Sequence, residues 1–202
     1  MELEEACRAL GLVLSDRQRA QLLGYRDLLA RWNVRVDLVA PASVEEILRA
    51  HVLDSLLLLV MVRPPQGGSV ADVGSGAGLP GLVWAVARPD LQVVLLEPRK
   101  KRAAFAERAA VQLQIPNVQV EALRAEEACT RPQYQAKFDV VVARAVAAPA
   151  VVLRMARRLL RGGGRLAVPV GPGAAVSPPF HEVACRVPWD PQRTRRVAVF
   201  LA

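Results

Sequence analysis

The sequence lacks the features that mark several large classes of protein. Its longest uninterrupted apolar run, Leu56 to Val62, is far shorter than the ~20 residues a membrane-spanning helix needs. Its cysteines, Cys7, Cys129 and Cys185, show no CxxC spacing, and only two histidines, His51 and His181, could join them as ligands. Neither a disulfide framework nor a zinc site is supported, and no metal is expected. The first ten residues, MELEEACRAL, are acidic at once and lack a basic stretch followed by an apolar one. That pattern argues against a secretory leader and for a cytoplasmic location. Aromatics are scarce: with four Phe, three Trp and two Tyr, few rings are available as stacking platforms for nucleic-acid bases. No repeat or low-complexity linker divides the chain.

What is present fits one globular domain over 1–202, expected to be a monomer, with 52% apolar and 23% charged residues. The net charge of +8 is unevenly spread: residues 1–50 carry −1, residues 51–98 carry −2, and residues 99–202 carry +11. Such asymmetry points to an anionic partner, and without a lipid-anchoring pattern nucleic acid is favoured over membrane. The alternative is a solvated basic surface.

Helical spacing covers 2–11 and 15–31, the second with Ser15 as N-cap and an apolar face of Leu22, Leu23, Leu28 and Leu29. Ser43 with Glu46 makes a capping-box pattern, predicting a helix that runs through the leucine-rich stretch to about Met61. Residues 1–62 thus form a helical extension. After RPPQGG, β-type runs alternate with helix-type runs from residue 69 onward. The predicted strands are Ser69–Val73, Gln92–Glu97, Val118–Ala122, Phe138–Ala143 and Arg165–Val170, with helices near 80–88, 98–113 and 149–161. This alternation implies a parallel sheet covered on both faces. Glu182–Val187 and Arg196–Leu201, with WDPQ between them, predict a terminal antiparallel hairpin. The expected fold is α/β and Rossmann-like: a seven-stranded, mostly parallel sheet finished by that hairpin.

The strongest motif is the run from Val70 to Gly81, a hydrophobic strand followed by Gly74, Gly76, Gly78 and Leu79, with Pro80 near the first helical position. Glycines there allow a sharp turn and close approach of a ligand to the backbone. The spacing is GxGxG, with Leu79 where a dinucleotide fingerprint wants its third glycine, which favours S-adenosylmethionine over NAD. Glu97, at the end of the next strand, is in register to offer a carboxylate to ribose hydroxyls. Ala125-Glu126 follows the third strand, toward the adenine side. Arg144 follows the fourth strand at the edge where open α/β sheets bind ligands, a salt bridge being the alternative.

With these motifs in place, the chain resembles the RsmG (GidB) family of 16S ribosomal RNA guanine-N7 methyltransferases, class I S-adenosylmethionine-dependent enzymes. The shared pieces are Trp32-Asn33 with Asp37-Leu38, the HxLDSL element His51 to Leu56, the glycine loop, Lys100-Lys101-Arg102 with Phe105, Arg124-Ala125-Glu126, and Arg144-Ala145-Val146. The resemblance implies S-adenosylmethionine as cofactor, with contacts at Gly74, Leu79, Ala125, Glu126 and Arg144. It implies guanine 527 of small-subunit rRNA as the target and the small ribosomal subunit as partner. The chain departs from the family at Asp37-Leu38-Val39, usually Asn-Leu-Thr, and at Val170-Gly171, usually Lys-Gly. Asp54 is expected to tie its helix to the glycine loop.

Guanine N7 carries an exposed lone pair and no proton, so in-line methyl transfer needs no general base, and no catalytic residue is assigned. The candidate RNA contacts are Arg99, Lys100 and Lys101; Arg154, Arg157, Arg158 and Arg161, spaced as one helix face; and Arg193, Arg195 and Arg196 in the hairpin. For the helical set a solvated face is the alternative. A cofactor-binding RNA-interaction protein without catalysis is a second reading, and an NAD-dependent oxidoreductase is a third, disfavoured by GxGxG and the terminal hairpin.

Overall fold

A computed structural model describes residues 2–40, 42–144 and 148–202, so Ala145 and Val146 of the motif at Arg144 lie outside the described residues. Helices α1 (Leu3–Ala9), α2 (Asp16–Asn33), α3 (Val44–Ile47) and α4 (Asp54–Val62) come first. Then follow β1 (Ser69–Val73), α5 (Gly81–Ala87), β2 (Gln92–Leu96), α6 (Lys100–Gln112), β3 (Val118–Glu121) and α7 (Ala125–Ala128). The chain continues through β4 (Phe138–Ala143), α8 (Pro149–Leu159) and β5 (Leu160–Val170) to β6 (His181–Val187) and β7 (Asp190–Leu201). Among the described residues the strands form one sheet in the order β3-β2-β1-β4-β5-β7-β6. Pairs from β3 through β5 are parallel, whereas β7 runs antiparallel between β5 and β6. The expected Rossmann-like arrangement with a closing hairpin is therefore present.

Both faces of the sheet are covered, which is why FDVVVA of β4 is buried along its whole length. One hydrophobic cluster joins α1, α2 and α4 with α5, α6 and inward residues of β1, β2 and β4. The other joins α7 and α8 with the opposite residues of the same strands. Ser15 and Ser43 both close full capping boxes, with Gln18 and Glu46. The helix expected from Ser43 to Met61 is interrupted by a wide π-type turn over Leu48–Leu53 before α4 resumes. All of α4 except Val60 and Met61 is buried, as an apolar-all-round helix must be. Burying each of Leu56, Leu57 and Leu58 contributes about 1.5–3 kcal/mol. No helix of the described residues is long and apolar enough to cross a membrane.

Several boundaries differ from the sequence reading, β5 for instance starting at Leu160 rather than Arg165, and two of the differences bear on the arginine candidates. The α8 helix stops at Leu159, because Leu160 already pairs with Phe138 of β4. Arg161 therefore belongs to β5, not to the helix face proposed for it. The hairpin turn is Pro188–Trp189, and the residues from Asp190 to Gln192 open β7.

The packing of α5 on the sheet is tight at Gly81. Its N–H donates to Asp72 Oδ2 at 2.8 Å, and a Cβ there would meet Leu95 Cδ2 at 2.3 Å and Asp72 Oδ2 at 2.9 Å. Asp72 is fully buried; burial pushes its carboxyl up to about 7, Glu97 adds to this, and the Gly81 N–H and Arg144 oppose it. Gly81→Ala is expected to cost about 1–3 kcal/mol through overpacking. An unchanged urea midpoint would show that α5 can move aside. The buried carboxyl also makes stability depend on pH. In the unfolded chain Asp72 ionises near its ordinary value of 3.8, while the folded protein keeps the proton to about 7. Between those values the folded state binds more protons, so this group lowers stability as pH rises from about 4 to about 7. Asp72→Asn removes that slope. Urea unfolding across this pH range should show the variant gaining on the wild type with rising pH; a constant difference would contradict the assignment.

Candidate functional site

The carboxyl ends of β1, β2, β3 and β4 lie side by side, since Val73 is paired with both Leu96 and Ala143, and Leu96 with Glu121. Leaving β1, the chain turns at Gly74, whose N–H donates to Leu96 O at 2.8 Å, and then closes on itself through Gly78 N–H to Ser75 O at 2.9 Å. Gly74, Gly76 and Gly78 all have positive φ. At Gly76 (φ 61°), among the described residues beyond its two neighbours, the only atom within 4 Å of the position of an added Cβ is Arg102 Nη1, 3.9 Å away. At Gly76 the loop therefore presents bare backbone to open space, as a site for a close-lying ligand requires, whereas Gly78 is packed against Leu82.

Glu97 is buried beneath this loop and holds it. Its Oε2 accepts from Gly76 N–H and its Oε1 from Arg99 N–H, both at 2.8 Å. Each oxygen still has acceptor capacity, so the same carboxylate can bind the loop and a hydroxyl-bearing ligand. Leu79 is buried at the end of the loop, Ala125 is buried at the start of α7 after β3, and Glu126 beside it is exposed. The sequence-predicted cofactor residues Gly74, Gly76, Gly78, Leu79, Glu97, Ala125, Glu126 and Arg144 thus belong to the loops after β1 to β4.

Two residues that support the loop were missed in the sequence reading. Tyr25, from α2, donates its hydroxyl to Ala77 O at 2.9 Å, and its burial pushes the phenol well above the usual range. The available signal was a tyrosine on the apolar face of an amphipathic helix, whose buried hydroxyl needs a partner. Trp84, wholly buried in α5, donates Nε1–H to Ser55 O at 2.8 Å, so the HxLDSL element is fastened to the helix that follows the loop. Arg102, named in the sequence reading with Lys100 and Lys101, donates Nη2–H to Asp37 O at 2.5 Å and closes the loop side against the 34–39 segment.

Among the described residues Asp54 has no hydrogen bond or ion pair to the glycine loop, contrary to expectation. Its Oδ2 accepts from Arg195 Nη2 at 2.7 Å and lies 3.8 Å from Arg144 Nη1, and its Oδ1 lies 4.0 Å from Arg193 Nη2. One buried carboxylate thereby joins α4, the end of β4 and the start of β7. His51 lies nearby on the preceding turn; burial, with help from Arg144, pushes its imidazole down to about 4, and its Nδ1 has no partner among the described residues.

The basic candidates divide by position. Arg99, Lys100 and Lys101 are exposed at the start of α6, next to Glu97 and the crevice. Arg154, Arg157 and Arg158 are exposed along α8, but that helix runs away from the crevice edge. Its last turn meets the opposite end of the sheet, where Ala136 N–H donates to Arg158 O and Arg161 pairs with Asp139. Arg157 stacks on Phe200, 5.2 Å from the ring centroid. The proposed stripe of Arg157, Arg158 and Arg161 therefore does not face the crevice. In the hairpin, Arg196 is bound to Glu182 and to Gly171 O, while Arg193 and Arg195 turn toward Asp54. Val170 and Gly171, where Lys-Gly was expected, line one groove with these three arginines. Trp84 is core, and Trp32 packs on Phe105 with Arg108 over its ring, so neither is free as a base platform. Among the described residues no group of three His, Cys, Asp or Glu is placed to hold a metal.

Comparisons with known proteins place the chain in a family. The family model for GidB, rRNA small subunit methyltransferase G, matches residues 18–172. Ribosomal RNA small subunit methyltransferase G of Methylobacillus flagellatus is 42% identical over 163 residues, covering 81% of this chain and 76% of that protein. Its namesake in Moorella thermoacetica is 37% identical over 163 residues, covering 81% and 68%. A SAM dependent methyltransferase from Aquifex aeolicus shares the fold, with a TM-score of 0.55 at 17% identity over 77% of this chain and 92% of that one. With the family model covering most of its length and relatives at this level of identity, the chain belongs to the rRNA small subunit methyltransferase G family.

Proposed function

We propose that the protein transfers the methyl group of S-adenosylmethionine to N7 of a guanine, position 527 in the usual numbering, in the 16S RNA of the small ribosomal subunit. The observation that carries this reading is the union, at one sheet edge, of a bare-backbone glycine loop and a buried carboxylate. The names of the relatives supply the substrate class.

The residues present fit such a cofactor. Gly76 leaves the space a ligand needs, and Ser75 Oγ, buried beside it, has no partner among the described residues. Glu97 would take the ribose hydroxyls, the backbone at Ala125 and Glu126 the adenine edge, and Gly74, Leu79 and Arg144 the remainder. When bound, S-adenosylmethionine supplies an electrophilic methyl carbon on a sulfonium. The chain's own contribution is orientation, since guanine N7 needs no base to become a nucleophile. Holding reactants in line is worth up to about 7–11 kcal/mol of effective molarity. Glu97 serves this end by fixing the loop and offering its remaining acceptor sites.

Methyl transfer from labelled S-adenosylmethionine to small subunits, with mass-spectrometric mapping of N7-methylguanine, tests the reading. Label at one guanine supports it. RNA binding without transfer would favour the non-catalytic alternative, and absence of both would overturn it.

Glu97→Ala gives a selective prediction. It removes acceptors that contribute about 1.5–3 kcal/mol per charged hydrogen bond and also frees the Gly76 N–H. Calorimetry should show at least a tenfold loss of S-adenosylmethionine affinity, with RNA affinity nearly unchanged. Equal weakening of both ligands would point instead to a damaged fold.

A further inference from the structure

Near the crevice, incompletely neutralised charge gathers in a partly buried place where the hairpin meets the loop after β5. Three guanidinium groups, those of Arg144, Arg193 and Arg195, share Asp54 as their carboxylate. Arg195 has only 14% of its side chain exposed, and its Nε–H has no partner among the described residues. Burial pushes this guanidinium below its usual range, and the positive charges of Arg193 and Arg144 push the same way against the pull of Asp54. One carboxylate cannot balance three cations in a partly desolvated place, so the arrangement is complete only when a further anion arrives.

There is room for that anion. A groove of about 660 Å³ lies between Gly171–Gly173 and the stretch from Arg193 to Arg196. Arg193 is half exposed and only loosely associated with Asp54, at 4.0 Å, which leaves most of its donors free. Arg196 is already neutralised by Glu182, and Asp190 is the one acid in the groove's lining. The groove also neighbours the crevice, because Arg195 and Arg144 approach the same oxygen of Asp54.

We propose that this groove takes one backbone phosphate of the RNA substrate, close to the nucleotide that reacts, with Asp54 as the internal counter-ion that preorients its arginines. Guanidinium forks suit phosphate oxygens, and an open groove suits a polymer that passes the crevice rather than a small enclosed ligand. The proposal rests on the function proposed above. Of the three sets of basic candidates, it favours the hairpin arginines over those of α8.

The test compares wild type with Arg193→Ala and Arg193→Lys. Each is titrated with a small-subunit RNA transcript over a range of KCl, assayed for KM toward that RNA, and checked for S-adenosylmethionine affinity. Loss of one phosphate contact should reduce the slope of log affinity against log salt by roughly 0.7–0.9. KM for RNA should rise at least fivefold in Arg193→Ala, the lysine variant should restore most of the slope, and cofactor affinity should stay the same. An unchanged slope and KM would overturn the proposal. So would a loss of cofactor affinity instead, which would assign the groove to the cofactor. Thermal protection by inorganic phosphate without any change in the RNA slope would mean a free-anion site, and overturns it too. A wild type that binds RNA with the expected slope but transfers no methyl would overturn the function proposed above while leaving the groove intact.

Discussion

The crevice depends on one buried carboxylate placed between two backbone segments. Glu97 ends the second β-run, reaches under the glycine loop to the Gly76 N–H, and at the same time receives the N–H of Arg99 that opens α6. Without it the loop after β1 and the loop after β2 would have no direct link at their tips, and two N–H groups would be left to water. The loop is further held from the side of the helical extension, by the Tyr25 hydroxyl on Ala77 O. Residues before the sheet thus shape the crevice without taking part in it. Packing of α4 against α5, fastened by the Trp84 indole on Ser55 O, serves the same end.

The fold was legible because its signals are local. Strands buried on both faces appear as unbroken apolar runs, helices carry their own capping residues, and the glycine loop falls between a strand and a helix. Glu97 was legible because its register with that loop is a property of short sequence separation. What could not be seen were pairings across long separations. Asp54 looked like a partner for the nearby glycine loop, whereas its partner is Arg195, 141 residues along the chain. Arg161 continued the helical spacing of Arg154, Arg157 and Arg158, yet a strand pairing with Phe138 ends the helix two residues earlier. Tertiary pairing overrode a periodic pattern there. Charge arithmetic found the basic half of the molecule but could not say which arginines face the crevice.

The two ion-pair systems at the ends of the sheet differ in kind. Arg161 with Asp139, and Arg196 with Glu182, are one-to-one pairs whose charges balance. The Asp54 cluster is buried on the acid's side and carries more positive than negative charge. A stability role alone would call for matching charges. The excess of positive charge is what the proposed phosphate would balance.

The contact between Asp54 and Arg195 also fixes an order of events during synthesis. The HxLDSL element and the glycine loop leave the ribosome early, and the four strands that frame the crevice can pair as they emerge. The hairpin follows them, Arg195 lying 141 residues after Asp54, and closing so long a loop must wait for it. A nascent chain can therefore pair the four strands around the glycine loop before the arginine cluster beside it exists, and the proposed phosphate groove forms only once β7 has emerged.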